Sequence, residues 1–348
     1  MGRRALFRPP GRKERGVATC RHARTAGAGG SRGNAPVRNV RTAAIGVSCV
    51  KGDLRAYPMP RNARLPVQIR VGFEMIYECP QPTPMIFNLN VHYTRVSDLA
   101  SRDDLSFDPP VRVAAYRDSF GNWCSRIVAP RGRLRVGADA MINDSGVPDV
   151  VVSGARQLAV QDLPEETLLY LLGSRYCETD RLSQVAWNLF GQTPPGWARV
   201  QAICDFAHRQ ITFGYENARM TRTALEAYNE RVGVCRDYTH LAVAFCRCMN
   251  IPARYCTGYL GDTGTPPPWG AGDFAAWFEV FLEGGWYTFD ARNNTPRIGR
   301  VLIARGRDAA DVALTNTFGQ CLLASFRVWT DEVPPAPGSA SFAGGDIL

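Results

Sequence analysis

The segment spanning residues 233–238 holds a cysteine where nucleophilic chemistry is favoured. A stripe of residues at helical spacing follows it: Tyr238, Leu241, Ala242, Phe245 and Met249. Cys235 falls one turn before Tyr238 on that stripe, so it is predicted to begin a buried helix. The helix dipole and unpaired N–H groups at that position are expected to lower the thiol pKa and to stabilise an oxyanion. The alternative is a buried, unreactive thiol.

Residues 274–290 predict a β-hairpin that ends in a carboxylate. The runs FAAWFEV and WYTFD lie on either side of a Glu-Gly-Gly turn. A Gly-Gly turn would pair Glu279 with Asp290, and a four-residue loop would pair Ala275 with Asp290. In both registers Ala275 and Asp290 face the same side, because strand side chains alternate. Asp290 either orients a catalytic base or caps a turn.

Three segments in this order resemble the bacterial transglutaminase-like superfamily, in the branch with an N-terminal β domain. They read GVCRDYTHLAVAFCRCMNIPARYCTGYL (233–260), DFAAWFEVFLEGGWYTFDARNN (273–294) and RIGRVLIARGRDAADVAL (297–314). The resemblance implies a papain-like core with a Cys-His-Asp triad that attacks peptide or carboxamide bonds and forms an acyl-thioester. It implies hydrolysis more than cross-linking, and a peptide or protein substrate.

By this resemblance Cys235 matches the nucleophile and Asp290 matches the acid that orients the histidine. The histidine itself belongs at the position of Ala275, and a second histidine common in the family is Asn293 here. Without an imidazole the thiol lacks a general base, so activity is expected to be strongly impaired. Two origins stay open: Ala275 is an introduced inactivating change, or the chain is a natural pseudoenzyme that binds peptides or a partner protein.

The chain has four histidines, and none is expected to replace the missing one. His22 lies in an N-terminal leader and His92 in the β domain. His208 and His240 are expected to be structural. His240 lies five residues after Cys235, about 140° around the helix from it.

Three more residues are candidates for the cleft: Trp277, Asp237 and Tyr238. Trp277 shares a strand face with position 275, although a core role is equally expected. Asp237 falls in the first helical turn, where a structural role is favoured. No metal-ligand spacing is found, so neither a metal nor a cofactor is expected.

Hydrophobic patterning predicts an α+β chain with several parts. Strands are predicted at 67–77, 85–93, 111–116, 123–129 and 132–142, which indicates an antiparallel β-sandwich-like domain. Helices are predicted at 180–189, 197–210 and 222–230, with a further one from Cys235, and strands at 254–260, 274–282, 286–290, 300–304 and 322–329. The expected divisions are a disordered basic leader or mis-assigned start (1–66), the β domain (67–163), a transglutaminase-like catalytic core (164–333) and a loose tail (334–348).

The net charge of +9 over 348 residues does not indicate a nucleic-acid partner for the folded part. Residues 1–66 hold 15 basic and two acidic residues, and the rest of the chain is mildly acidic at −4. Eleven cysteines in a chain of this length do not predict a disulfide framework. No apolar run is long enough for a membrane span, so we expect a cytoplasmic protein with no membrane partner.

Overall fold

The computed structural model describes residues 67–267 and 272–334. The predicted leader, His22 and nearly all of the predicted tail lie outside these residues. The helices are α1 (Glu165–Leu168), α2 (Thr179–Phe190), α3 (Trp197–Gln210), α4 (Ala224–Glu230) and α5 (Cys235–Cys248). No helix in the described part of the chain is long and apolar enough to cross a membrane.

The strands outnumber the helices and form three antiparallel four-stranded sheets and one short parallel pair. In chain order they are β1 (Val67–Cys79), β2 (Thr83–Phe87), β3 (Ser106–Asp108), β4 (Ala114–Arg117), β5 (Trp123–Ala129), β6 (Gly132–Asp144), β7 (Thr212–Phe213), β8 (Val232–Gly233), β9 (Ala253–Leu260), β10 (Phe274–Leu282), β11 (Gly285–Phe289), β12 (Arg300–Gly306), β13 (Thr315–Thr317) and β14 (Leu322–Val333). The predicted α+β fold class, a β-sandwich-like domain joined to a papain-like core, is confirmed.

Two of the sheets pack around one apolar core, in the orders β14-β1-β6-β3 and β13-β2-β5-β4. Alternation along β1 explains which face is inside, since every second side chain of a strand points to the same face. The buried set along β1 is Ile69, Val71, Phe73, Met75 and Tyr77. The predicted strand at 85–93 is shorter than expected: β2 ends at Phe87, and residues Tyr93–Asp98 form a 3-10 turn.

The last strand of the described chain belongs to the first sheet. β14 pairs antiparallel with β1, from Gln68 opposite Val333 to Glu78 opposite Leu322. A disulfide joins Cys79 to Cys321, next to the end of the pair where Glu78 lies opposite Leu322. The division at residue 163 stays a prediction, but the strands at 315–333, assigned to the core by sequence order, pair with strands of the sandwich.

The third sheet, in the order β11-β10-β9-β12, carries the helix that begins at Cys235. Helix α5 packs on β9 and β10, and α2, α3 and α4 pack around it. Every residue from Asp237 to Cys248 is buried. A helix enclosed in this way has a fixed N-terminus, which is what the position of a nucleophile requires.

The hairpin register differs from both predicted registers. Leu282 pairs with Gly285 and Glu279 with Thr288, so the turn is formed by Glu283 and Gly284. Gly284 has a φ of 96°, which glycine adopts without strain. This turn begins one residue earlier than the predicted Gly-Gly turn, and sequence alone does not distinguish between them.

Candidate functional site

Cys235 is the first residue of α5, and the turn before it depends on a glycine. A Cβ on Gly233 would lie 2.6 Å from Oδ2 of Asp237, so a larger residue does not fit there. The same carboxylate accepts the N–H of Val234 at 2.9 Å and pairs with Arg222 at 3.1 Å. Asp237 therefore fixes the backbone where the chain enters α5, and with it the position of the Cys235 thiol.

A cavity of about 720 Å³ lies beside this helix terminus. Its walls include Cys235, Asp273, Ala275, Arg292 and Asn293. Cys235 is partly exposed, whereas the other free cysteines in the described part of the chain are buried. The cavity thus brings the predicted nucleophile and the predicted histidine position to one space.

The sulfur of Cys235 lies at the open end of β10. Pairing between β10 and β11 begins at Phe278, so the earlier residues of β10 pair only with β9. The backbone N–H of Ala276 faces the sulfur, next to the position of Ala275. Position 275 is therefore next in the chain to the group that contacts the thiol, and it lines the same cavity.

The thiol pKa corrects the expectation from the helix dipole. Burial raises the pKa of Cys235 to about 11, and the negative charge of Asp273 raises it further. The Ala276 N–H and the positive charge of Arg292 act in the opposite direction but do not compensate. Desolvation of a thiolate outweighs the dipole here, because no imidazolium is present to pair with it.

Ala275 occupies the predicted histidine position on β10. It pairs with Gly258 of β9 and packs against Cys256, Trp277 and Leu302. Its methyl group is small, so the space beside it is part of the cavity. This side chain has no group that can accept or donate a proton.

Asp290 directly follows β11 and is almost fully buried, with 3% of its side chain exposed. Its Oδ1 accepts the backbone N–H groups of Arg292 at 3.0 Å and of Asn293 at 2.8 Å. Its Oδ2 accepts from Nδ2 of Asn293 at 2.7 Å and from Nη2 of Arg300 at 2.9 Å. Four donors occupy the four acceptor positions of the carboxylate.

Arg300, the first residue of β12, donates to the Asp290 carboxylate and holds it in place. Its buried guanidinium also donates to Asp149 at 2.8 Å, so it bridges two acids. It lies over the ring of Trp277 at 5.2 Å. The pairing of both acids stabilises a charge that would otherwise be costly to bury.

The three candidate cleft residues do not line the cavity. Trp277 is buried against Cys256 and Leu302, on the same sheet face as Ala275. The Tyr238 hydroxyl donates to the carbonyl of Ile211 at 2.6 Å inside the helical core. Asp237 is fully buried in its ion pair. All three are buried in the protein interior.

The three described histidines also lie outside the cavity. His208 contacts the carbonyl of Arg292 at 2.9 Å and supports the segment after Asp290. His240 accepts the N–H of Ala309 at 3.1 Å and stacks on Tyr176. His92 is buried and contacts Thr94.

Sequence reasoning did not identify three residues of the site. Asp273 and Arg292 line the cavity, and Arg300 holds Asp290. In the sequence, Asp273 is only the first residue of the segment 273–294, and no pattern indicates a function for it. The Arg300–Asp149 contact joins positions 151 residues apart, and no spacing rule reveals it.

Comparison with known proteins places these residues in a family. A model of the transglutaminase-like superfamily matches residues 184–291, which include Cys235, Ala275 and Asp290. The uncharacterized protein ML0607 of Mycobacterium leprae is 33% identical over 221 residues, covering 59% of this chain and 75% of that protein. The uncharacterized protein Rv2569c of Mycobacterium tuberculosis is 28% identical over 235 residues, covering 60% of this chain and 73% of that protein.

Among solved structures, a candidate cysteine protease from Cytophaga hutchinsonii superposes with a TM-score of 0.67. It is 27% identical, and the alignment covers 78% of this chain and 92% of that one. The fold, the matched family model and the similarity to the M. leprae protein agree, and the chain belongs to the transglutaminase-like superfamily.

Proposed function

We propose that this protein is a cysteine-nucleophile enzyme of the transglutaminase type whose activity is strongly reduced. Cys235 attacks the carbonyl of a peptide or carboxamide bond, and the amine leaves. Water then resolves the acyl-thioester, in preference to an amine that would be cross-linked. The substrate is a peptide or a protein.

One observation carries this proposal: Cys235 begins a fully enclosed helix and lines the same cavity as position 275. The first N–H groups of a helix have no acceptors within it, so those of Cys235 and Arg236 can donate to a developing oxyanion, whereas that of Asp237 bonds to the Val234 carbonyl at 2.8 Å. The Cytophaga structure, described as a candidate cysteine protease, gives further support.

The reduced rate follows from Ala275 and from the thiol. A pKa of about 11 leaves only a small fraction of Cys235 as thiolate near neutral pH. Because Ala275 has a methyl group where the family has an imidazole, no side chain at this position can accept the thiol proton or protonate the leaving amine. In triad enzymes the loss of one member costs several orders of magnitude in rate.

Replacement of Ala275 by His tests the proposal. Ala275→His is expected to raise amide hydrolysis by about 10²-fold or more, the typical contribution of a positioned acid–base group. Amine incorporation is measured in parallel and is expected to be the slower reaction. Cys235→Ser in the same background is the control and should abolish the gain. Strong activity with Ala275 intact, or no gain in the variant, would contradict the proposal.

The alternative is a pseudoenzyme that binds peptides in the same cavity. The filled acceptor positions of Asp290 favour it, because this carboxylate is held by its own loop and by Arg300. Retention of a peptide by the wild-type protein, with Ala275→His still inactive, would select this alternative.

The cytoplasmic location stays a prediction. The Cys79–Cys321 disulfide requires an oxidising environment to persist. Its redox state in cell extracts would show which compartment fits.

A further inference from the structure

A second proton carrier lies in the cavity beside Cys235. Asp273 directly precedes β10 and lines the cavity together with Ala275. Residues two apart in an extended chain point to the same side, so Asp273 and position 275 lie on one side of the chain, and both line the cavity that Cys235 lines. Among the charged groups that act on Cys235, Asp273 has the largest influence.

The surroundings of Asp273 suit proton transfer. Burial raises the pKa of its carboxyl, while the N–H of Phe274, the hydroxyl of Tyr215 and the positive charge of Arg292 act in the opposite direction. The Phe274 N–H donates to Oδ1 at 2.7 Å. A carboxyl whose pKa is moved toward neutrality is a more effective acid–base catalyst than an ordinary one.

The other ionisable groups near the sulfur are less suited. Asp290 has all four acceptor positions filled. The guanidinium of Arg292 has donors but no acceptor for a proton. Burial raises the pKa of Tyr215, which faces Asp273. Of the cavity's other acids, Asp262 lies 3.7 Å from Arg297, and the two on β14 are exposed.

We propose that Asp273 is the acid–base residue of the remaining acyl-transfer activity. The carboxylate accepts the Sγ proton of Cys235 as the sulfur bonds to the substrate carbonyl carbon. It then donates that proton to the amine nitrogen as the C–N bond breaks, which leaves the acyl-thioester and a neutral amine. Water later bonds to the thioester carbon while the same carboxylate takes its proton. The C–S bond then breaks and that proton returns to Sγ, which releases the carboxylic acid and the Cys235 thiol. This inference rests on the proposed function and assigns a residue to it.

Asp273→Asn tests this role while keeping the size of the side chain and an acceptor for the Phe274 N–H. Three rates are compared with wild type: acylation of Cys235 by a peptide p-nitroanilide, acylation by a p-nitrophenyl ester, and alkylation by iodoacetamide. The amide reaction should fall about 10²-fold. The ester reaction should fall much less than the amide reaction, because the attacking thiol loses its base but the nitrophenolate leaves without a proton. Alkylation should accelerate several-fold, because a negative charge beside the thiol is removed.

This pattern separates catalysis from structure. A parallel fall in all three rates, or an unchanged amide rate, overturns the proposal. Asp273→Glu keeps a carboxyl and should retain more amide activity than the Asn variant. Asp104→Asn is the matched control, since Asp104 pairs with Arg102 on an exposed surface of the sandwich, and it should leave all three rates unchanged.

The Ala275→His background distinguishes this proposal from the proposed function. If Ala275→His is active and the wild type shows no Cys235-dependent amide acylation, Asp273 has no catalytic role but the proposed function holds. If Ala275→His is inactive, the proposed function fails. When both proposals hold, Asp273→Asn costs less in the Ala275→His background, because the imidazole carries the proton.

Discussion

The side-chain amide of Asn293 donates to Oδ2 of Asp290 over 2.7 Å. The backbone N–H of the same residue donates to Oδ1 at 2.8 Å. Asn293 therefore holds both oxygens of the carboxylate that a triad would use to orient a histidine. Of the four donors on Asp290, the Asn293 amide is the neutral side chain and the one most readily displaced.

Restored activity should depend on this amide. An imidazole at position 275 must compete with Asn293 for Asp290, so Ala275→His combined with Asn293→Ala should be about tenfold faster than Ala275→His alone. The ratio of kcat/KM for amide hydrolysis checks this. Asn293→Ala alone should give no gain, and equal rates in the single and double variants would contradict the competition.

Alkylation of Cys235 should show the raised thiol pKa. Because the thiolate is the reactive form and the pKa is about 11, the iodoacetamide rate should rise about tenfold per pH unit between pH 7 and pH 10. Mass spectrometry of tryptic peptides identifies the labelled residue, with Cys235→Ser as control. A rate that levels off near pH 8.5 would indicate an ordinary thiol.

Removal of Arg300 should destabilise the fold strongly. Arg300→Met leaves the buried Asp290 and the partly buried Asp149 without their cation, and a loss of about 3–5 kcal/mol in the free energy of unfolding is expected. Arg70→Met is the matched control, because the Arg70–Asp139 pair is exposed to solvent and should contribute little to stability. Urea unfolding measures both, and equal losses would contradict the assigned role.

Acidification should lower stability through buried histidines. Burial lowers the pKa of His92 to about 3, with nearby arginines adding to the effect, and burial also lowers the pKa of His240. Below about pH 6.5 the unfolded chain binds protons that the folded one does not, so unfolding becomes easier as pH falls from 6.5 toward 3.

The urea midpoint at pH 7.5 and pH 5 measures this dependence. His92→Gln should show a smaller difference between the two midpoints than the wild type does. An unchanged pH dependence in this variant would show that His92 is not responsible.

Reduction of the disulfide should weaken the sandwich. Cys79 and Cys321 are 242 positions apart, and closing a loop of that size constrains the unfolded chain. Dithiothreitol should lower the free energy of unfolding by about 2–5 kcal/mol. The Cys79→Ser/Cys321→Ser protein should be insensitive to the reductant. Free thiols at both positions in the purified protein would contradict the bond.

Local patterns predicted much of the fold. The spacing of apolar residues predicted α3 and β10 with the same first and last residues that the structure shows. This worked because burial of one face requires apolar residues at regular intervals. The disulfide and the pairing of β14 with β1 were not predicted, since both join distant positions. The cavity at Cys235 follows a recognised motif, whereas the raised thiol pKa and the donors on Asp290 depend on desolvation and on three-dimensional contacts.

Because β14 pairs with β1, the transglutaminase-like core is an insertion in the chain between two neighbouring strands of one sandwich sheet. The chain enters the core from the sandwich and must return to complete the same sheet. A fragment ending before β14 would leave β1 as an open edge, and one beginning at the core would carry β14 without its partner. Circular permutation within an exposed sandwich loop preserves both strands, whereas truncation at either boundary does not.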